Sequence, residues 1–296
     1  MMSERFLIML NLMFNFVTIW LFSAFALGKK LNIPGSDFFV NGPLPIIEKY
    51  PADNIPAKPL VVIGWTSCLL SGLGSAILLL KVAFVSSDHK SFRPAFYLCW
   101  IGANCGCAIW SFTFDREKLI HSLVTVLCVC LLAIGTTALA CGEHSNSGKQ
   151  NSWYNKVILS YLGLFNSWAF TALTSTTSLA LYYKPSAEQE SAELIGLLTI
   201  EKCATIGNLT MAAAFFAWVV LDLTLASHLT NEIKTIYPAV AVFMFGLFLS
   251  NFSTAGISVS QAVCLMVATI SIVVWSLRSF LKKYLGLLEN KSKKNN

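Results

Sequence analysis

One acidic side chain, Asp222, stands inside an apolar stretch running from Ala212 to Ala226. A carboxylate near mid-bilayer costs about 2.5–3.5 kcal/mol even on the lenient insertion scale, so it should face a cavity, pair with a partner or take up a proton. The competing reading puts Asp222 near the cytosolic end of its helix, where it reaches interfacial water. Asn208, Phe215, Trp218 and Asp222 recur at helical spacing and share one face. A second stripe holds Trp100, Asn104, Ala108, Ser111 and Asp115. An amide in hydrocarbon needs a partner, so Asn104 is expected to point into a helix bundle, as an inter-helix hydrogen bond or as part of a pocket wall. Trp65, Trp100, Trp110, Trp168 and Trp218 lie deep in apolar segments and offer flat contacts. Trp20, Trp153 and Trp275 fall near segment ends, as interfacial anchors do.

Other chemistry lacks its residues. The four histidines are scattered singly, and the nine cysteines lie in or at the ends of apolar runs, which argues against a disulfide framework. Cys105 and Cys107, like Cys128 and Cys130, are two residues apart and do not share a helical face, so no metal site is expected. There is no His-x-x-x-His box, no nucleophile elbow and no Gly-rich phosphate loop. The expectation is a protein that is not an enzyme, has no cofactor and binds no nucleic acid. The hydroxyls of Thr171, Thr174, Ser175, Thr176, Thr177 and Ser178 need no ligand, because each can bond back to its own helix.

The elements that must position these residues are membrane helices. Of 296 residues 55% are hydrophobic and 12% charged, about half the charged share of a soluble domain. Apolar runs of about 20 residues match a ~30 Å hydrocarbon layer. The predicted fold is all-α, a polytopic bundle of eight transmembrane helices forming one domain over 1–281. Its spans are 6–27, 60–84, 94–114, 119–141, 157–183, 203–227, 236–250 and 257–281, and a basic cytosolic tail follows over 282–296. The first span could instead be a cleaved signal peptide, although its apolar run is long for one. The segment from Gly28 to Pro59, with six prolines, reads as ordered but irregular. The stretch from Lys184 to Glu201 reads as a solvated acidic loop.

Thirteen of the 21 Lys and Arg fall on the side that holds both termini, which places the termini in the cytosol. The chain ends Lys293-Lys294-Asn295-Asn296. Lysines at these positions from a cytosolic end resemble the dilysine retrieval address of endoplasmic reticulum membrane proteins, read by a coat protein. A basic tail on anionic headgroups is the other reading.

The third and fourth spans read CWIGANCGCAIWSFTFDREKLIHSLVTVLCVCLL. An Asn, five residues, a Trp and an acidic-Arg step at a hairpin resemble the tryptophan-rich sensory/translocator proteins, the TspO/MBR or peripheral benzodiazepine receptor-like family, in their longer animal forms. The stretches DNIPAKPLVVIGW and SWAFTALTSTTSL are similar to that family's first conserved helix and its later Trp-containing helix. Trp65 is one place out of step, and Thr176 stands where the family often has Asn. The resemblance covers residues 50–180 and implies binding of a flat apolar molecule, a tetrapyrrole or sterol, by Trp65, Asn104, Trp110 and Trp168. Asp115-Arg116-Glu117 also resembles the acidic-Arg motif of rhodopsin-like receptors, but it follows the wrong helix, and that reading is rejected.

The expected function is therefore to bind or translocate a hydrophobic small molecule in an intramembrane pocket among spans two to six. Trp110, Trp168 and Trp218 would supply its flat walls, and Asn104 and Asp222 its polar end. Two alternatives remain: a secondary transporter coupled through Asp222, and a structural endoplasmic reticulum component. Membrane lipids are the expected surroundings in every case.

Overall fold

A segment crossing lipid must pair its backbone amides internally, and an α-helix does so within itself. The computed structural model describes residues 4–50, 58–85, 92–146, 153–183, 198–225, 233, 235–251 and 257–295, and among these all regular structure is helical. The α-helices are α1 (Glu4–Leu31), α2 (Pro43–Lys49), α3 (Lys58–Val85), α4 (Pro94–Asp115), α5 (Leu119–Asn146), α6 (Trp153–Tyr182), α7 (Ile200–Val220), α8 (Ile236–Ser250) and α9 (Val259–Asn295). A 3-10 turn covers Ser36–Phe38, and a π-helical turn, Leu221–Leu225, continues α7.

Each of the eight expected spans coincides with a helix. Six described stretches are long and apolar enough to cross a membrane: Arg5–Leu27, Pro94–Asp115, Leu119–Cys141, Lys156–Tyr182, Ile200–Leu223 and Val259–Phe280. The described apolar part of α3, Thr66–Ile77, and the whole of α8 are shorter. The backbone of the basic tail continues α9 as far as Asn295. The acidic loop falls mostly outside the described residues.

Side-chain contacts fix the helix directions. Thr18 meets Asn104, Phe22 meets Trp110 and Phe25 meets Phe114, so α1 and α4 run parallel. Trp100 meets Tyr161 and Trp110 meets Trp168, so α6 runs with them. Cys68 bonds to Leu164 and Gly72 abuts Tyr161, so α3 runs against α6. Asn208 reaches Ser260, and Asp222 reaches Arg278, which makes α7 and α9 parallel. Because Ser178 bonds to Cys203 at the α6–α7 turn, that pair runs against α6. The start of α1 and the end of α9 therefore lie at the same end of the bundle.

Helix α6 is the hub, packed on α3, α5, α7 and α8 and buried over most of its length. Its hydroxyls bond back as expected: Thr171, Thr174, Ser175, Thr177 and Ser178 each donate to the carbonyl four residues earlier. Helix α8 starts against α6 because Gly163 has no side chain. A Cβ there would lie 2.3 Å from the Thr235 hydroxyl and 3.2 Å from the Ile236 nitrogen. Thr235 in turn donates to the Ser160 carbonyl (2.7 Å).

The Pro-rich segment expected to be irregular supplies α2 and the 3-10 turn, and it docks on the α4–α5 tip through all three residues of Asp115-Arg116-Glu117. The wholly buried Asp115 carboxylate accepts the backbone N–H groups of Val40 (2.7 Å), Asn41 (2.9 Å) and Gly42 (2.8 Å). Gly42 has φ of 80°, the left-handed region where glycine avoids a side-chain clash. Arg116 donates to the Phe38 carbonyl (3.4 Å). Glu117, itself left-handed at φ 58°, pairs with Lys49 at 2.6 Å and accepts the Tyr50 hydroxyl. The Lys49 and Tyr50 hydrogen bonds hold the Glu117 carboxyl below its ordinary pKa. The Glu117 bond raises Lys49. Burial, and then the Glu117 bond, raise Tyr50.

Candidate functional site

The two aromatic walls expected of a ligand pocket meet each other. Trp110 of α4 and Trp168 of α6 pack edge to face with ring centres 5.4 Å apart. Phe22 of α1 fills the remaining side, 5.1 Å from Trp168 and 6.4 Å from Trp110, and Phe25 and Phe114 extend the cluster. The Trp110 indole donates to Thr176 (3.4 Å), the residue standing where the resembled family often has Asn. A flat apolar molecule between Trp110 and Trp168 would have to displace Phe22. Such aromatic contacts contribute about 0.5–1.5 kcal/mol per pair beyond burial.

Asp222 and Trp218 belong to a different place, where α7, α8 and α9 converge. The stripe Asn208, Phe215, Trp218 and Asp222 is wholly buried, as its spacing requires. Arg278 of α9 reaches the Asp222 carboxylate at 2.8 Å, and the Tyr237 hydroxyl of α8 donates to the same oxygen. The other carboxylate oxygen is buried and has no hydrogen-bond partner among the described residues. Arg278 keeps 14% of its side chain exposed, lies over the Tyr237 ring, and so connects the buried acid to the bundle surface. Ser271 fixes the Tyr237 carbonyl (2.7 Å), and Phe215 packs on its ring. The Cys141 thiol of α5 is a further titratable group within electrostatic reach of Asp222 and Arg278.

Asp222 therefore pairs with a partner, one of the three outcomes its burial allowed. The partner is the arginine that sequence reasoning counted only among the positive charges of the terminal side. Tyr237 went unnoticed because a tyrosine in an apolar run carries no mark of its role. The π turn over Leu221–Leu225 carries the carboxylate at the end of α7. Such turns occur often at functional sites.

Asn104 points into the bundle as expected and is wholly buried, yet its side-chain amide has no hydrogen-bond partner among the described residues. Only its backbone carbonyl is used, by Thr18 (3.3 Å). The side chains of Trp65, Lys293 and Lys294 lie outside the described residues. The six proposed ligand residues thus do not line one pocket: Trp110 and Trp168 form the aromatic cluster, Asn104 lies on the α1 side of α4, and Trp218 and Asp222 lie at the α7–α9 junction. Compared with known proteins, the chain matches no family, no curated protein and no solved structure.

Proposed function

We propose that the chain is a non-enzymatic, eight-span membrane protein working as a secondary transporter, with Asp222, Tyr237 and Arg278 as its coupling element. The observation that carries this reading is the buried Asp222–Arg278 pair at a π-helical turn. An ionisable pair inside an apolar bundle is expensive to keep, and such groups mark ion and proton pathways. Neutralising Asp222 removes the charge that ties α7 to Arg278 of α9. With that tie weakened, a different packing of α9 against α7 becomes accessible. Two helix arrangements whose balance depends on one proton are what coupled transport requires.

The test is a proteoliposome assay with a pH-sensitive dye inside, in which candidate solutes are screened for pH-dependent flux. Asp222→Asn keeps the shape and one acceptor oxygen for Tyr237 and Arg278, turns the other oxygen into a donor and removes the charge, and it is expected to abolish the pH dependence while the protein stays folded. Retention of pH-dependent flux by the variant refutes the coupling role.

The kinship with the tryptophan-rich sensory/translocator family and the binding of a tetrapyrrole or sterol rest on the sequence motifs. They form the second reading, in which the ligand takes the place that Phe22 holds against Trp110 and Trp168. Residence in the endoplasmic reticulum, with both termini cytosolic and Lys293 and Lys294 read by a coat protein, belongs to the same proposal.

A further inference from the structure

Polar atoms that are buried without a partner are concentrated in one part of the molecule. Of eleven such side-chain atoms among the described residues, seven belong to Asn11, Asn15, Ser75, Trp100 and Asn104. All five residues are at most 1% exposed. They converge between α1, α3 and α4. Asn15 donates to the Gly72 carbonyl (3.4 Å), which brings the α1 face of Asn11, Asn15 and Thr18 onto α3, and Thr18 donates to the Asn104 carbonyl. Since α3 runs against α1, Ser75, one turn beyond Gly72, comes level with Asn11, one turn before Asn15. Trp100 is one turn before Asn104 on the same face of α4, and Tyr161 of α6 closes the group against the Trp100 ring and Gly72.

The depth of this cluster gives it meaning. Asn104 sits at the middle of the 22-residue α4, and Asn15 near the middle of the 23-residue stretch Arg5–Leu27. An unpaired polar atom costs several kcal/mol in hydrocarbon, and here seven are buried on α1 and the two helices packed against it. A fold that only needed these helices to pack would do better with Leu and Ala at those positions. Donors (the Asn11 and Asn104 amides, the Trp100 indole, the Ser75 hydroxyl) and acceptors (the carbonyl oxygens of Asn11, Asn15 and Asn104) are both present, and none carries a charge. An ion placed here would have no counter-charge in the cluster.

We infer that these five residues form a mid-membrane binding site for a small, uncharged solute that both donates and accepts hydrogen bonds, of the amide or polyol class. The site shares no residue with the Asp222 cluster, so it does not rest on the transport reading. If both hold, the bound solute is the cargo and Asp222 the coupling group.

Trp100 makes the site its own reporter. Acrylamide is an uncharged amide that quenches indole fluorescence on contact, whereas iodide is a charged quencher. With the full chain in lipid nanodiscs, acrylamide is expected to quench a saturable component that iodide leaves untouched, that Trp100→Phe removes, and that non-quenching acetamide restores by competition. Asn104→Leu should raise the half-saturating acrylamide concentration about tenfold, and Ser75→Ala by less. These two variants keep the test decisive if Trp100→Phe does not fold. Acrylamide titrations that are linear and superimpose for the native chain and the variants overturn the proposal; that is the outcome if the cluster holds only ordered water. Equal quenching by iodide overturns its restriction to uncharged solutes.

Discussion

Asp222 and Arg278 illustrate how a buried pair differs from its separate charges. Asp222 without Arg278 would be a buried ion short of its counter-charge, and the pair together is close to neutral against an apolar pair of similar shape. Arg278→Met alone is expected to destabilise the protein by about 3–5 kcal/mol, because among the described residues it leaves the buried Asp222 carboxylate with Tyr237 as its one donor. Combining it with Asp222→Leu should recover most of that loss. Thermal unfolding of the two single variants and the double variant in one detergent gives the coupling, and strictly additive losses would show that the two side chains do not interact. The pair thus contributes little to net stability, and the Asp222→Asn flux assay addresses why it is kept.

At the scale of elements, two contacts decide how segments dock. Helix α8 begins against α6 at Gly163, where a methyl group would meet the Ile236 backbone as well as the Thr235 hydroxyl. A side chain can rotate away, but a helix start cannot, so Gly163→Ala is expected to cost about 1–3 kcal/mol by overpacking. It should also lower the thermal midpoint in the same assay. At the other end of the bundle, α2 is held on the α4–α5 tip by charged hydrogen bonds, which makes the docking pH-dependent. Glu117 is depressed, so its stabilising share is full above the ordinary glutamate value and disappears as pH falls through the lowered one. Lys49 is raised, so its share is full below the ordinary lysine value and disappears as pH rises through the raised one. Hydrogen exchange of residues 33–50, corrected for intrinsic rate, should show protection at neutral pH that weakens on acidification in the native chain. Glu117→Gln should flatten the acid limb; a native chain with unchanged protection at both pH values excludes this tie.

For the whole molecule, the alternating helix directions place the start of α1 and the end of α9 at one end. A single cysteine added near each terminus, in a background with exposed native cysteines replaced, should react with a membrane-impermeant maleimide from the same side only. Labelling of the two from opposite sides would remove the eight-span topology. If that side is cytosolic, Lys293→Ser with Lys294→Ser should move the protein out of the endoplasmic reticulum. The lipid-facing surface carries large apolar side chains such as Phe6, Leu131 and Phe280, each more than half exposed. Asn11, Asn104, Asn166, Asn208 and Asp222 are wholly buried, the reverse of a water-soluble fold.

The features legible in the sequence are those with a local period. Apolar runs long enough to cross lipid located the helices, and the 3.6-residue repeat put Trp100, Asn104, Ala108, Ser111 and Asp115 on one face, where all but the half-buried Ala108 are buried, as are Asn208, Phe215, Trp218 and Asp222. Hydroxyl back-bonding along α6 was legible for the same reason, since donor and acceptor lie one turn apart. What lies opposite each inward-facing group was decided only by tertiary structure. Arg278 opposite Asp222, Phe22 against Trp110 and Trp168, the α2 segment on Asp115-Arg116-Glu117, Asn15 on Gly72 and Thr18 on Asn104 are pairings between distant segments. No spacing encodes them, because they depend on which helix becomes the neighbour of which, and that choice is made by packing the entire bundle at once.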